Sequence, residues 1–554
     1  MICSFLHPGL LLIFSGLLIP FFSGFRRTLF ICIIPLISLF IVWNLSFGSS
    51  CTVSYLGYEL ILINFDSLSR LFATVFCITV LVAGFFCCKQ AKSTELATAF
   101  VYAGAATSVI LAGDLISLFL FWELMALAST LLIWSSQNNN SYQAGMRYIS
   151  IHLLGGVILM CGIVGHAHET NSIAFTQMQL NSISTWLILF GFLLNAGAPP
   201  LSAWLADAYP ETSFSGMVFL SAFTTKTAVY VLMRGFPGTD LLIYIGLFMI
   251  FYGIIYALLE NDMRRILAYS IINQVGFMVC GIGIGTEMAL NGTAAHAFTH
   301  IVYKALLLMS AGSVLYMTGK RKCSELGGLI QSMPITAVCG IIGALSISAF
   351  PLTSGFVSKS MISQASVDEH LLWVWLLLQA ASAGVFLHAG IKFPWFVFFQ
   401  KDSGLRPSDP PKNMQVSMIF FAMICILIGI FPNILYSMLP YPVFYQPFTS
   451  AHIISQLQLL LFSGLAFFVM LPLMKRTLTI SLDFDWFYRC LIPKLSSIIF
   501  NYLSKVDIAI KEALRNKIVF IFYRIKINYH LSLSNSILIV MILFSVLLFY
   551  YFIN

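Results

Sequence analysis

Three ionisable residues stand at regular helical spacing inside an apolar stretch of the sequence. His296, His300 and Lys304 follow one another every four residues in HAFTHIVYKALLLMSAGS, so a helix places all three along one stripe about 12 Å long. Imidazole and a buried lysine can both exchange protons near neutral pH. The stripe therefore predicts a proton relay, with satisfied structural histidines as the alternative. A zinc site of the H-E-x-x-H type is not indicated, because its glutamate is missing.

A single carboxylate lies inside another apolar stretch. Glu123, in FLFWELMALAS, follows Asp114 by nine residues, which corresponds to about 13 Å along a helix. Asp114 marks the hinge between two closely spaced spans, so Glu123 is expected near the middle of the membrane. A carboxylate at that depth has to be paired, hydrated or protonated. We therefore predict that Glu123 exchanges protons; a structural glutamate tied to a neighbouring helix is the alternative.

Two lysines lie close to residues that interrupt helices. Lys359 ends the motif SGFVSK, after Pro351 and Gly355, and Lys226 belongs to the span that follows Pro199–Pro200. Irregular backbone inside a membrane is tolerated only where protein or water satisfies its polar groups, and in transporters such broken helices mark the ion path. One break in each half of the chain indicates an inverted repeat, with these two lysines on its conducting axis.

Lys392 and His388 are weaker candidates for the same path. Lys392 precedes Pro394 and lies close to the basic stretch that begins at Lys401, so its ammonium could reach the membrane interface while its stem stays in the bilayer. His388 lies one turn deeper. We treat both, together with Asn195, as possible accessory residues.

The composition places all of these residues in a membrane protein. Of 554 residues, 59% are hydrophobic and 9% are charged, whereas soluble domains have about 25% charged residues. This excludes soluble enzymes and nucleic-acid-binding modules. The 12 cysteines form no C-x-x-C pair, so they do not indicate an iron–sulfur or zinc-finger site. About sixteen spans of roughly 20 apolar residues are predicted. Their centres lie near Phe14, Leu39, Val80, Ala105, Ala126, Val157, Leu189, Leu220, Met249, Val275, Leu307, Ile341, Leu378, Ile424, Leu461 and Met541.

Basic residues indicate how these spans are oriented. About 23 of the 29 lysines and arginines fall in odd-numbered connections, and about two fall in even-numbered ones. The positive-inside rule then places both termini outside and the odd-numbered connections in the cytoplasm. Residues 475–534 are basic and amphipathic, which predicts a segment on the cytoplasmic membrane surface, followed by a final span in residues 535–554.

The order and spacing of the motifs resemble one known family, the antiporter-like proton-translocating membrane subunits shared by respiratory complex I and the Mrp-type monovalent cation/proton antiporters. The resemblance covers most of residues 60–430. It rests on DSLSRLF, FWELM, APPLSAWLADAYPE, FLSAFTTKTAVY, NDMRRILAYSIINQVGF, HAFTHIVYKALLLMSAGS and SGFVSK. Residues 199–234 and the motif DFDWFYR at 483–489 are most similar to the D-type subunit of the Mrp antiporters.

The resemblance implies an all-α polytopic membrane protein of about 14–16 transmembrane helices, with two inverted five-helix repeats that each contain a broken helix. It divides the chain into N-terminal transmembrane helices (1–93), a first antiporter-like repeat (94–235), a second repeat (236–400), C-terminal transmembrane helices (401–474), an amphipathic lateral segment (475–534) and a final transmembrane helix (535–554).

The resemblance also implies a role for each buried ionisable group. Glu123 resembles the essential carboxylate of the first half, and Lys226 resembles its connecting lysine. Lys304 is similar to the central lysine of the second half, and Lys359 to the charged residue of the second broken helix. The two histidines of the stripe resemble polar residues that line the same hydrated axis.

One position departs from the family pattern. Asn195 stands where the family usually has a lysine that partners Glu123, and Ser202 replaces the histidine expected seven residues later. Either the first half works by a modified charge relay, which we favour, or it is a vestigial partner of the second half.

We therefore expect a proton-translocating, antiporter-like subunit of a multisubunit complex in the bacterial cell (inner) membrane, with sodium/proton exchange as its output. No cofactor, metal or redox centre is expected in this chain. Its expected partners are protons, sodium ions, lipid and other integral-membrane subunits, and no nucleic acid. The alternatives are a proton-pumping membrane subunit of an NADH-quinone oxidoreductase, whose electron transfer occurs in other subunits, and a non-transporting structural subunit of the same fold.

Overall fold

A computed structural model describes residues 6–55, 57–472, 483–505, 508 and 512, and these are almost entirely helical. Twelve helices in this part of the chain are long and apolar enough to cross a membrane, and three shorter apolar helices accompany them. Each of these corresponds to one span predicted from the sequence. The remaining predicted span, centred near Met541, lies outside the described residues. The all-α, multi-pass membrane fold is therefore confirmed.

Three helices and a β-hairpin come first among the described residues. The sequence predicted the helices but not the hairpin. The helices are α1 (Pro8–Leu18), α2 (Gly24–Asn44) and α3 (Ser67–Cys87). Between α2 and α3, strands β1 (Ser50–Tyr55) and β2 (Tyr58–Asn64) pair antiparallel. Strands of 6 and 7 residues are too short to be detected by a hydropathy window of about 19 residues, which is the length used to find membrane spans.

The first helical group contains the predicted hinge. It contains α4 (Ser93–Leu111), α5 (Leu115–Trp134), α6 (Asn139–Thr170), α7 (Ile183–Ala196), α8 (Trp204–Ala208), α9 (Gly216–Ala222) and α10 (Thr224–Gly235). Asp114 separates α4 from α5. Its Oδ1 accepts a hydrogen bond from the Ser117 amide at 2.7 Å, and its Oδ2 accepts one from the Ile61 amide of β2 at 2.6 Å. One carboxylate thus caps a helix and holds the hairpin.

The first four helices of the second helical group have nearly the same lengths as the first four of the first group. The second group contains α11 (Leu241–Leu259), α12 (Met263–Ile284), α13 (Glu287–Thr318), α14 (Pro334–Ile347) and α15 (Ser354–Asp368). The helices α4 to α7 have 19, 20, 32 and 14 residues, and α11 to α14 have 19, 22, 32 and 14. This order is what two copies of one unit would produce. The domain boundaries given above stay a prediction.

Both predicted breaks are present. In the first group α7 ends at Ala196, and the next residue, Gly197, adopts a left-handed conformation with φ 79°. The helix α8 begins at Trp204. In the second group α14 and α15 are separated by residues 348–353, in which Ala349 and Leu352 also have positive φ. Because a side chain is strained in this region of φ, the second break is held by its surroundings and is not a relaxed turn.

The last helices of this unit are α16 (Leu372–Val385), π-helical turns at Phe386–Lys392 and Trp395–Phe399, α17 (Lys412–Ile430), α18 (Asn433–Tyr436) and α19 (Ser450–Met470). The chain divides into two compact units, Met1–Asp485 and Trp486–Asn554. The second unit begins with a π-helical turn, Phe487–Leu491, and continues as helix through 505. The predicted lateral segment is therefore described only in part, and the predicted final helix lies outside the described residues.

Candidate functional site

The polar stripe of α13 is fully inside the protein. His296, His300 and Lys304 have no exposed surface, and the two imidazole centroids lie 6.1 Å apart. The helix that carries them has 32 residues, and it packs against both α12 and α15. The predicted one-face arrangement is thus present at the centre of an apolar bundle.

Hydrogen bonds join this stripe to the second broken helix. Nδ1 of His296 lies 3.1 Å from Oγ of Ser358, and Oγ1 of Thr299 lies 2.9 Å from the same hydroxyl. Ser358 precedes Lys359 on α15, so the second break and the α13 stripe share one polar contact.

Lys359 connects the two halves of its broken span. Its ammonium donates to the carbonyl oxygen of Ile347, the last residue of α14, at 2.6 Å, and lies 5.0 Å from the centroid of the Phe277 ring. A helix C-terminus carries a partial negative charge and an aromatic face attracts cations. Both contacts hold the Lys359 side chain at the break. A cavity of about 20 Å³ borders it, which is room for a single water molecule.

Lys226 lies at a break that the sequence did not predict. The helix α9 ends at Ala222 and α10 begins at Thr224, and Phe223 between them has φ −104° and ψ −70°. The ammonium of Lys226 donates to the carbonyl oxygen of Ser221 at 2.7 Å and to Oγ1 of Thr225 at 3.1 Å. It therefore satisfies a carbonyl that the interrupted helix leaves free.

These groups form one row of basic side chains, which we call the interior row: Lys226, His296, His300, Lys304 and Lys359. His300 is within electrostatic reach of all three lysines, and Lys304 is within reach of the other two lysines. Within the described residues, Lys304 Nζ and both ring nitrogens of His300 have no hydrogen-bond partner. Buried polar groups without protein partners are the usual contacts of internal water. The row therefore has the composition that the predicted proton relay requires, and its role stays a prediction here.

Glu123 is set apart from the interior row. It lies on α5, half-buried, and its buried Oε1 has no hydrogen-bond partner in the described part of the chain. The carboxylate packs on Gly156 of α6, where a β-carbon would lie only 2.1 Å from Oε1. Lys226, the nearest candidate partner under a modified charge relay, donates to Ser221 and Thr225 as described above. The structure therefore does not pair these two residues.

Asn195 and Ser202 are both buried next to the first break. Neither the amide of Asn195 nor the hydroxyl of Ser202 has a partner within the described residues. Trp204 lies beside them, and its indole nitrogen donates to the carbonyl oxygen of Leu194 at 3.1 Å. The first break thus holds neutral polar groups where the second break holds a lysine.

The two accessory candidates have different roles. The ammonium of Lys392 donates to the carbonyl oxygens of Ala257, Leu258 and Glu260, at 3.1, 2.5 and 2.6 Å, so it caps the C-terminus of α11. This contact lies at one end of a candidate membrane span, and the accessory role of Lys392 stays a prediction. His388 is buried, bonds the Gly384 carbonyl at 2.8 Å and is within electrostatic reach of Lys304.

Several polar residues near the row were missed from the sequence. The hydroxyl of Tyr303 donates to Oε1 of Gln274 at 3.0 Å, and Asn273 donates to the Ile250 carbonyl at 3.0 Å. The adjacent amides Asn273 and Gln274, inside an apolar span, were the available signal. Across the described residues, no group of three or more His, Cys, Asp or Glu side chains could hold a metal ion.

Several known proteins are similar to this chain in sequence or in fold. Residues 112–384 match the family described as NADH:quinone oxidoreductase/Mrp antiporter, TM. The D component of the Na(+)/H(+) antiporter of Alkalihalophilus pseudofirmus is 30% identical over 333 residues, which cover 54% of this chain and 67% of that protein. The A/B component of a probable K(+)/H(+) antiporter of Rhizobium meliloti is 30% identical over 60% of this chain, which spans only 36% of that protein's length.

Among solved structures, the fold is similar to a chain of the membrane-bound sulfane sulfur reductase, an archaeal respiratory membrane complex. The TM-score is 0.72, and the sequences are 23% identical, with 98% of this chain and 99% of that chain covered.

Proposed function

Because the chain belongs to the NADH:quinone oxidoreductase/Mrp antiporter transmembrane family, we propose that it is the proton-translocating subunit of a multisubunit membrane complex. Its output is exchange of protons for a monovalent cation, with sodium as our first choice. The interior row is the observation that carries this proposal. Five basic side chains are buried in an apolar bundle, and His300 is within electrostatic reach of the other four. Such residues are rare in membranes unless they serve a path for ions or protons.

The chemistry of the row favours protons over metal cations. A proton that arrives on a neutral lysine forms an ammonium; the same proton then leaves through water to a neighbouring imidazole or amine, and the first lysine becomes neutral again. The ionisable groups that act on Lys304 and His300 are lysines and a histidine. These groups repel a sodium or potassium ion and offer it no carboxylate. The exchanged cation therefore crosses by another route, in this chain or in a companion subunit.

The choice of cation rests on relatives that differ from one another. A component of a sodium antiporter and a component of a potassium antiporter are equally identical to this chain, so sequence identity does not rank the two ions. We choose sodium because the relative of which the chain covers two thirds is the D component of a sodium antiporter.

We further propose that both termini lie outside a bacterial cell membrane, with the odd-numbered connections in the cytoplasm. The distribution of lysine and arginine supports this orientation. Cys51 in β1 is disulfide-bonded, and disulfides persist mainly in oxidising compartments outside the cytoplasm. The hairpin belongs to an even-numbered connection, so both arguments place it on the same side.

A proton-pumping subunit of a respiratory oxidoreductase is the second candidate. The fold is shared with a chain of an archaeal respiratory complex, and the interior row would serve that function equally well. Purification of the native complex separates the two candidates, because flavin and iron–sulfur subunits should accompany only an oxidoreductase. A non-transporting structural subunit is the third candidate.

The test of transport is a charge-removing substitution in the row with a matched control. Lys304→Met removes a fully buried ammonium that has no protein partner within the described residues, and Lys320→Met makes the same change at a half-exposed loop ion pair with Glu325. We expect the assembled Lys304→Met complex to lose cation-dependent proton flux in vesicles and the Lys320→Met complex to keep it. Unchanged flux in an assembled Lys304→Met complex would leave only the structural candidate.

A further inference from the structure

A second group of buried polar side chains lies near Glu123, away from the interior row. It is centred on His152 of α6, which is 1% exposed. His152 lies one helical turn, about 6 Å along the axis, before Gly156, and Gly156 is the residue on which the Glu123 carboxylate packs. No sequence motif points to His152.

The hydrogen bonds of His152 fix its tautomer. Nδ1 lies 2.9 Å from the carbonyl oxygen of Tyr148, and a carbonyl can only accept, so Nδ1 carries a hydrogen. In the neutral ring Nε2 then has the free lone pair. This nitrogen is buried and has no partner among the described residues. The ring is held in place by Tyr148, at a centroid distance of 3.9 Å, and by Trp204, at 4.6 Å.

Hydroxyl groups continue from His152 toward Lys226. Tyr148 stacks on the imidazole, and its hydroxyl lies 2.9 Å from Oγ of Ser129 and beside Thr224. Thr224 is hydrogen-bonded to the hydroxyl of Tyr102 at 2.6 Å. The next residue, Thr225, accepts a hydrogen bond from the ammonium of Lys226. Buried hydroxyls of this kind both donate and accept, so they can orient water between two bases.

The helices packed against α6 carry few charged groups near the level of His152. Glu123 lies on α5, and Asp207 lies on α8, where it is held in a bidentate ion pair with Arg147 of α6 at 2.7 and 2.8 Å. The end of α7 contributes the neutral amide of Asn195. Tyr148 and Tyr209 are the nearby phenols. Glu123 is therefore the one carboxylate among these described groups that has no fixed cationic partner.

We propose that His152 is the proton carrier of the first half of the protein, between Glu123 and Lys226. This inference rests on the proposed function. The protonated carboxyl of Glu123 gives its proton through water to Nε2, which leaves a carboxylate and an imidazolium. The imidazolium then releases the proton along the hydroxyls to the neutral amine of Lys226, which becomes an ammonium. The first half is thus a working path with a histidine on α6, although its broken helix has Asn195 and no lysine.

The test uses the intact complex in vesicles. His152→Asn keeps an amide nitrogen that can donate to the Tyr148 carbonyl but removes Nε2, and we expect proton flux per assembled complex to fall by about tenfold or more, as for loss of a positioned acid–base group. His168→Gln, at the exposed end of the same helix, is the control and should keep full flux. If His152→Asn fails to assemble, His152→Gln, which fills more of the space, replaces it.

A rescue experiment separates proton transfer from packing. Introducing Asn195→Lys into the His152→Asn protein places a new base beside the same indole, and we expect flux to return with its pH profile moved upward, because lysine holds its proton to higher pH than histidine. A packing role predicts no rescue and an unshifted profile, and that result would overturn the proposal. Lys304→Met is measured in parallel. If it abolishes flux while His152→Asn does not, the proposed function stands and this inference fails; if neither affects flux, the proposed function itself fails.

Discussion

The ammonium of Lys359 and the carbonyl oxygen of Ile347 lie 2.6 Å apart across the second break. Ile347 is where α14 ends, and Lys359 lies in the second turn of α15. The side chain that we place in the proton path therefore also satisfies a carbonyl that the break exposes. A proton that leaves this lysine weakens the bond between the two helix halves, so its transfer and the geometry of the break are coupled.

Lys359→Arg separates these two tasks. Arginine can still donate to the Ile347 carbonyl, but it does not give up its proton in proteins. We expect the complex to assemble normally and its proton flux to fall by about tenfold or more, equivalent to about 1.4 kcal/mol of barrier. Flux is measured by a pH-sensitive dye in vesicles, with Lys320→Arg as the exposed control. Full flux in the Lys359→Arg protein would remove this lysine from the path.

Lys392→Met is expected to affect stability and not transport. The substitution leaves three carbonyl groups at the end of α11 without their donor, and loss of a buried partner costs about 1–3 kcal/mol. We expect a lower midpoint of thermal unfolding for the purified complex and unchanged flux per assembled complex. Lys401→Met, in an exposed position, is the matched substitution. Loss of flux at an unchanged midpoint would return Lys392 to the proton path.

Adjacent glycines on α6 offer a test of the Glu123 site. A β-carbon on Gly156 would lie 2.1 Å from Oε1 of Glu123, whereas one on Gly155 would meet the flexible end of Leu194 at 3.2 Å. Gly156→Ala therefore has to displace the carboxylate, and Gly155→Ala only has to shift a methyl group. We expect Gly156→Ala to reduce proton flux as strongly as Glu123→Gln does, with Gly155→Ala close to the parent protein. Equal flux in the two alanine variants would show that the position of this carboxylate is unimportant.

Asp483 is the anchor that holds the end of the first compact unit. Its carboxylate accepts hydrogen bonds from the hydroxyls of Tyr252 on α11 and Tyr269 on α12. Tyr252→Phe and Tyr269→Phe each remove one bond to a charged acceptor, which is worth about 1.5–3 kcal/mol. We expect each to lower the unfolding midpoint and the double variant to fall short of the sum, because the two share one acceptor. Additive effects would contradict a shared site, and Tyr244→Phe, at an exposed tyrosine, is the control.

Most of the fold could be predicted from the hydropathy of the sequence and the positions of its prolines. The described apolar helices correspond to the predicted spans, and the breaks near Pro199 and Pro351 were predicted because those residues interrupt helical hydrogen bonding. The break at Phe223 was not predicted, because the segment FLSAFTTK contains neither proline nor glycine. At this break the ammonium of Lys226 bonds the Ser221 carbonyl five residues earlier, and no sequence rule predicts that a lysine side chain will take the place of a helical amide donor.

The site residues that could be predicted from the sequence are the ionisable ones that lie inside apolar stretches. Lys226, Lys304 and Lys359 are conspicuous for that reason, and the structure buries each of them. His152 was not singled out, because one histidine in an apolar helix usually has a structural explanation. Its importance depends on Gly156 and Trp204, which bring it to Glu123 and the first break only after the chain has folded.

The interior row has an energetic consequence for the order in which protons enter. The ion pairs in the described residues join other side chains, so no fixed carboxylate there neutralises a charge on these lysines. Two ammonium groups about 10 Å apart repel by about 1.7 kcal/mol at an effective dielectric constant of about 20. When a second lysine of the row takes up a proton, the repulsion therefore raises the free energy of the proton already bound at the first. If the row carries protons as we propose, we expect each arriving charge to drive the previous one toward an exit, so that conduction proceeds by displacement between neighbours and the sites do not all fill.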